Sequence, residues 1–325
     1  MHRTCLIIPR ILFRHASTTS SGTPAEFRIF DRAAKQRQRD RAAADVENSR
    51  VADYLKDEVA ERVVDRLADI KRKFNTIVDL GSGCGHIEKF IEKDMVQKII
   101  MCDISRNMLE RDKDIKYNVE VERRAIDEEL LPFEEDSLDA VVSSMSLHWV
   151  NDLPGALIQI RRSLKPDSPF IGAILGGDTL FELRTSLQLT EQEREGGLSP
   201  RVSPMTTVRD VGSLLSRAGF NLTTIDVDDI VVNYPSMFEL MMDLRSMGES
   251  NAVIARRPYL TRDNLIAASA VYKELYGDSN GNIPATFQVI YMIGWKPHTT
   301  QPRPMPRGSA KVSIKETFEK DESKD

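Results

Sequence analysis

The sequence predicts a doubly wound α/β fold: a mostly parallel, seven-stranded sheet with a helical insertion before the last strand. Three observations predict it. Short buried apolar runs alternate with segments of helical period, the first run breaks at a glycine cluster, and the first two runs are closed by acids. Strands that alternate with helices pair in parallel through right-handed crossovers. Val59, Val63, Val64 and Leu67 share one helical face, and Thr76 to Leu80 then reads as the first strand, halted at Gly81. A helix is expected over His86 to Glu92, with Ile87, Phe90 and Ile91 apolar. Lys98 to Cys102 is the second strand, ending at Asp103, after which Ser105 reads as the N-cap of a helix carrying Met108 and Leu109. Val119 to Ala125 is a weaker third strand and Leu138 to Val142 a strong fourth. A helix through Leu157, Ile160 and Leu164 follows, ended by Pro166, and Phe170 to Leu175 is the fifth strand. Past Gly176 and Gly177 the regularity loosens. Helices are expected over Asp178 to Glu195 and Val208 to Ala218, and a strand over Leu222 to Val232. Ser236 to Gly248 and Thr261 to Tyr276 read as inserted helices, and Thr286 to Trp295 as the last strand. The expected organisation is one domain over 25–297, with its insertion at about 236–283.

The chain has 325 residues, 45 Lys+Arg against 50 Asp+Glu, and a net charge of −5. That length buries a full core without disulfides or a structural metal. The acidic balance argues against a protein that binds nucleic acid by bulk charge. No apolar run reaches the roughly 20 residues that span a bilayer. Cys5, Cys84 and Cys102 lack metal-ligand spacing and suggest a reducing compartment.

The two ends read differently from the middle. Residues 1–24 contain Arg3, Arg10 and Arg14 and a Ser/Thr cluster, and the first acid is Glu26. An Arg- and Ser-rich, acid-free, amphipathic opening is the pattern of a mitochondrial transit peptide. Residues 298–325, with Pro302, Pro304, Pro306 and a mixed-charge run, read as a disordered tail.

The run Asp79-Leu80-Gly81-Ser82-Gly83-Cys84-Gly85 sits where the first strand turns toward the next element. Bare backbone there lets a ligand approach where a Cβ would block it. The dinucleotide fingerprint G-x-G-x-x-G seats a pyrophosphate. Here the glycines run G-x-G-x-G, and an acid precedes them. That acid repels a diphosphate and attracts an ammonium, which favours S-adenosylmethionine over a nicotinamide dinucleotide. Asp103, ending the next strand, stands where both ribose hydroxyls would be accepted. Asp127-Glu128-Glu129-Leu130-Leu131-Pro132-Phe133 suits an adenine amino group and a wall against its ring. Ser143-Ser144-Met145-Ser146-Leu147-His148-Trp149 would face the methionine end and the reacting carbon.

In this order the motifs resemble the class I S-adenosylmethionine-dependent methyltransferases, and within them the branch of the malonyl-carrier-protein methyltransferase. The resemblance implies the cofactor-binding set Asp79, Gly81, Gly83, Gly85, Asp103, Ile104, Asp127, Glu128 and Ser143. Further segments are similar to a mitochondrial family of complex I assembly factors. They include Phe30-Asp31-Arg32, Asp53-Tyr54-Leu55-Lys56, Leu147 to Pro154, Gly176 to Leu180, and Met247-Gly248-Glu249-Ser250-Asn251. That resemblance spans about Phe30 to Pro297. It implies a matrix protein, peripheral on the inner membrane, acting early in complex I assembly by hydroxylating an arginine of the iron–sulfur subunit next to the quinone site. A small accessory assembly factor is a further expected partner. Methyl transfer to a protein or carboxylate, and non-catalytic chaperoning, stay open as alternatives.

Catalytic residues are not readable from the sequence. His148 and Trp149 either line a substrate pocket or pack at a helix start, and His86 reads as structure beside the cofactor. Iron for hydroxylation usually wants two His and a carboxylate. His86, His148 and Asp127 are the combination left, and the sequence does not assign it. Arg32, Arg37, Arg39 and Arg41 either touch anionic lipid or the partner or, with Asp31 and Asp40 interleaved, form a solvated helix face, the commoner outcome. Met237, Met241, Met242 and Met247 form either a partner groove or core. Glu191, Glu193 and Glu195, or Asp226, Asp228 and Asp229, could supply an acidic channel for an arginine.

Overall fold

The computed structural model describes residues 28–302 and 307–309. Residues 1–24, expected to be a transit peptide, and most of the expected tail lie outside them. Where its start is described, the tail is tied down: Gln301 is buried and its amide donates to Asp167 Oδ1 (3.0 Å) and Lys296 O (2.9 Å). The disorder expected from residue 298 therefore does not begin there.

The described chain opens with helices α1 (Arg32–Ala44), α2 (Val46–Val51) and α3 (Tyr54–Ala68). Strand β1 (Phe74–Leu80), β2 (Val96–Asp103), helix α4 (Arg106–Arg111), β3 (Glu120–Ala125) and β4 (Ala140–Ser144) follow. Then come α5 (Leu153–Ser163), β5 (Pro169–Leu175), α6 (Phe181–Glu195), α7 (Val208–Ala218) and β6 (Asn221–Tyr234). Helices α8 (Met237–Ser246) and α9 (Arg262–Tyr276) are inserted before the last strand, β7 (Ile283–Trp295). The sheet runs β3-β2-β1-β4-β5-β7-β6. Its first five strands are parallel, and β7 is antiparallel to both β5 and β6.

Strand alternation splits the core into two layers. Ile77, Ile99, Val142, Ile171, Phe287 and Val289 face α3, α6, α8 and α9. Val78, Ile100, Val141, Phe170, Ile174 and Ile290 face α5 and α7. The helix starts are capped as their sequences suggest. Asp152 accepts from Gly155 N at 2.9 Å, Ser105 accepts from Met108 N at 3.1 Å, and Thr207 with Asp210 forms a reciprocal capping box.

One expected helix is absent. His86 to Glu92 contributes only a 3-10 turn, Ile87–Lys89. Cys84, Gly85, His86, Ile87 and Glu88 are consecutively buried, whereas an amphipathic surface helix buries three or four residues in every seven, never five in a row.

Candidate functional site: an acid-lined glycine loop beneath a basic helix

The parallel strands end together at one edge of the sheet, where open α/β sheets bind ligands. Gly81, Gly83 and Gly85 have φ values of +78°, +58° and +95°. At Gly81 an added Cβ would also strike the Ser146 side chain. The loop therefore requires glycine for conformation and for space. Asp79, at the end of β1, is buried, and its Oδ1 has no hydrogen-bond partner. Glu88, from the 3-10 turn, is equally buried, with both carboxyl oxygens unpartnered. Burial raises the Asp79 carboxyl well above its usual range, and Glu88 and Asp103 push it further. Burial raises Glu88 to about 7.

Asp103 is fully buried at the end of β2. Its Oδ1 accepts from Ser105 N (2.7 Å), and its Oδ2 accepts from Gly83 N (3.1 Å). It is thus tied to the glycine loop itself. Asp127 is part-exposed, and Glu128 is fully buried. Ile104 offers its carbonyl to Gln36 Nε2 at 3.0 Å. Ser143 donates its hydroxyl to Leu80 O at 2.6 Å, which commits it to joining β4 to β1. The structure thus gathers Asp79, the three glycines, Asp103 and Glu128, while Ser143 acts within the sheet.

Helix α1 bears out the solvated basic face for Arg37 and Arg41, which are exposed, and corrects it for Arg32 and Arg39. Arg32, Lys35 and Arg39, spaced three and four apart, share one face of the helix and are turned inward. Arg39 donates to Asp103 Oδ2 (3.0 Å), Glu128 Oε1 (3.2 Å) and Ser146 Oγ (2.9 Å). Arg32 donates to Asp127 Oδ1 (2.9 Å) and to Glu128. Burial acts to raise Glu128, but the charges of Arg32 and Arg39 outweigh it and hold the carboxyl at about 2.

What seats α1 also explains two of the shared segments. Asn151 Oδ1 accepts from the amides of Ile29 (2.9 Å) and Phe30 (2.8 Å). Phe30 meets Trp149 edge-on at 5.3 Å and bridges to Val253 of the α8–α9 loop. Asp31 caps the helix by accepting from Ala34 N at 2.8 Å.

Beyond the β4–α5 loop, whose Ser146 packs on Gly81 and whose Met145 and Trp149 form part of the wall, lies a cavity of about 350 Å³. Leu55, Met145, Leu183, Leu187, Met241 and Phe287 are among its walls, and Trp149 and Glu249 reach it from the cofactor side. Glu249 Oε2 accepts from Lys35 Nζ (2.6 Å) and Trp149 Nε1 (2.7 Å). Lys56 Nζ is 3.2 Å from Oε1 as an ion pair, but its hydrogen bond goes to Met247 O (2.7 Å). Lys35 is completely buried, with its Nζ 3.6 Å above the Trp149 ring. Burial pushes this ammonium down to about 7 against the pull of Glu249. His148 lies 4.0 Å from Glu249, and neither ring nitrogen has a hydrogen-bond partner. Burial pushes it down to about 3, so the ring is neutral. Met237 and Met247 are core, Met241 lines the cavity, and Met242 is exposed.

The sequence reading did not single out Lys35, Glu88 or Glu249 by role. Four of its six acidic-channel candidates have other duties: Glu191 is held by Ser199 and Arg201, Glu195 pairs with Arg257, and Asp226 and Asp228 pair with Arg66 and Arg62. His86 bonds Asp57 at 2.7 Å, apart from the His148–Glu249 cluster. Among the described residues no group of three or more His, Cys, Asp or Glu is placed to hold a metal. The donor set does not fit an iron centre built on His86, His148 and Asp127.

Comparison with known proteins agrees with this architecture. A methyltransferase-domain family matches residues 78–172. The YcgJ protein of Bacillus subtilis superposes with a TM-score of 0.50 at 16% identity, covering 73% of this chain and 98% of its own. A malonyl-[acyl-carrier protein] O-methyltransferase of Methylovorus is 34% identical over 84% of this chain and 92% of its own. The human mitochondrial arginine-hydroxylase NDUFAF5 is 52% identical over 92% of this chain and 86% of its own. Identity at that level reaches the inserted helices as well as the sheet, and the chain belongs to the NDUFAF5 arginine-hydroxylase family.

Proposed function

We propose that the protein is a mitochondrial enzyme that hydroxylates an arginine of the iron–sulfur subunit next to the quinone site of complex I, early in assembly. In this reading it works on the matrix face of the inner membrane, beside a small accessory assembly factor. The observation that carries the reading is 52% identity across 92% of the chain with a relative named as a mitochondrial arginine-hydroxylase. A peripheral attachment is compatible with the described residues, none of whose helices is long and apolar enough to cross a membrane.

S-adenosylmethionine is the cofactor the loop suits. The residues fit it by charge: Asp79 and Glu88 present buried, unpartnered carboxyl oxygens to a bare backbone bend, and a cationic ligand relieves them. When bound, that cofactor supplies a sulfonium with an electrophilic methyl. Asp79 and Glu88 would face its cationic methionine end. Asp103 would accept from the ribose hydroxyls, and for that Arg39 must release Oδ2, because three donors already use this carboxylate. The neighbouring cavity would hold the acceptor chain, with water excluded by its apolar walls. Retention of this whole set favours methyl transfer as the second reading.

One measurement tests both. The full chain is incubated with the candidate subunit and the modified peptide is weighed. A gain of one oxygen is expected. A gain of one methyl would replace the first reading with the second, and an unchanged peptide would sink both.

A further inference from the structure

The cavity selects the shape and charge of its occupant. Its walls are mostly aliphatic or aromatic, from α3, α6, α8, β7 and the loops at 200–205 and 249–260, with Thr179, Ser203, Ser250 and Asn251 as the uncharged polar members, and they suit a long apolar stem. Among the described residues that line it, Glu249 is the one acid. The arginines on the rim already have carboxylates of their own: Arg201 with Glu191 (2.6 Å), Arg256 with Asp31 (3.4 Å), and Arg257 with Glu195. A stem that ends on a buried carboxylate is the complement of a long basic side chain. Two details favour arginine over lysine. A guanidinium takes both oxygens of a carboxylate in one plane, and Glu249 Oε1 accepts no hydrogen bond. Trp149 fixes that carboxylate through its indole nitrogen and already carries a cation on its ring face, where a flat guanidinium stacks better than an ammonium.

Resting on the arginine-hydroxylase reading above, we propose that Glu249 receives the guanidinium of the substrate arginine, and that Lys35 of α1 stands in for it until the substrate arrives. Lys35 holds Oε2, the oxygen a fork-shaped head needs along with Oε1. A third cation beside Lys35 and Lys56 would be costly in so dry a place. The exchange removes that cost: Lys35 loses its proton to water as the guanidinium enters, and the charge of the pocket is unchanged. Burial, with Arg39 on its own helix and Lys56 on α3, pushes the ammonium toward this loss, while Glu249 resists it.

The test is calorimetric titration of the full chain with a blocked tripeptide that has a central arginine, and with its citrulline twin. Lys35→Met should bind the arginine peptide about tenfold or more tighter than the unaltered chain, because the competitor is gone. Lys35→Met/Glu249→Gln, which removes both charges of the pair together, should lose that gain, and the citrulline twin should bind no better than this double variant does. Binding to the unaltered chain should release a proton, read as heat that depends on the buffer, and binding to Lys35→Met should not. Equal arginine affinity in the single and double variants, equal affinity for citrulline, or no proton release would each overturn the proposal. Should the double variant fail to fold, Leu183→Trp fills the cavity with the ion pair intact. Lost arginine binding there supports the assignment, and retained binding overturns it. The two readings fail separately. Glu249-dependent arginine binding without any oxygen gained on the subunit would sink only the hydroxylase reading, while oxygen gain that survives Glu249→Gln would sink only this site.

Discussion

The two halves of the site treat charge in opposite ways. Around the glycine loop, four buried carboxyls, Asp79, Glu88, Asp103 and Glu128, face guanidiniums from α1 that reach only the last two. Around the cavity, two ammoniums, Lys35 and Lys56, share the single carboxylate of Glu249. The first half has more carboxyls than cations, and burial raises Asp79 and Glu88 toward their neutral forms. The second has one carboxylate for two ammoniums, and burial pushes Lys35 toward its neutral amine. Each half thus holds a proton that an entering cation can displace, an arrangement that serves binding more than stability.

The largest expected effect breaks the first half. Glu128→Ala takes a shared carboxylate from Arg32 and Arg39, which keep Asp127 and Asp103, and should cost about 2–3 kcal/mol in urea unfolding. A loss under about 1 kcal/mol would mean that α1 is not held by this carboxylate. Gly81→Ala comes next. It imposes a left-handed backbone on a side chain that also collides with Ser146, worth about 1–3 kcal/mol of strain. S-adenosylmethionine affinity should fall about tenfold or more by calorimetry. Gly196→Ala has a similar φ of +64° with nothing within 4 Å, so it should leave cofactor affinity intact.

The pH dependence sharpens the contrast among the carboxyls themselves. Glu88 is raised to about 7 in the folded chain, so the folded state takes up a proton before the unfolded one does, and this group adds stability as pH falls from 7 toward its unfolded value. Glu128 is depressed to about 2, so its contribution is complete above its unfolded value and is lost as pH falls toward 2. Thermal melts should therefore pass through a maximum in mild acid, and Glu88→Gln should flatten only the upper limb. The smallest effect lies at the surface. Arg62 pairs with Glu58 (2.7 Å) and Asp228 while partly exposed, and Arg62→Ala should cost under about 1 kcal/mol.

The same division governs what the sequence made legible. Asp79, the three glycines and Asp103 lie on one strand end, one loop and the next strand end, so local pattern and chain order placed them. All seven strands were legible for the same reason. The basic face of α1 was misread because interleaved charges ordinarily mark a solvated surface, and its partners lie far along the chain. Lys35 reaches Gly248 and Glu249, more than 200 residues away, and no periodicity spans that distance. The available signal was the spacing of Arg32, Lys35 and Arg39 on one helical stripe with Ala42 and Ala43, a pattern that buries a face instead of wetting it. Glu88 was hidden inside a helix that the buried run from Cys84 to Glu88 does not form.

The hooks that seat α1 set a boundary for maturation. Asn151 grips the amides of Ile29 and Phe30, and Phe30 bridges to Val253. A cut after Phe30 would part these contacts from the helix that carries the basic stripe, so N-terminal sequencing of the mature chain should find Phe30 still in place.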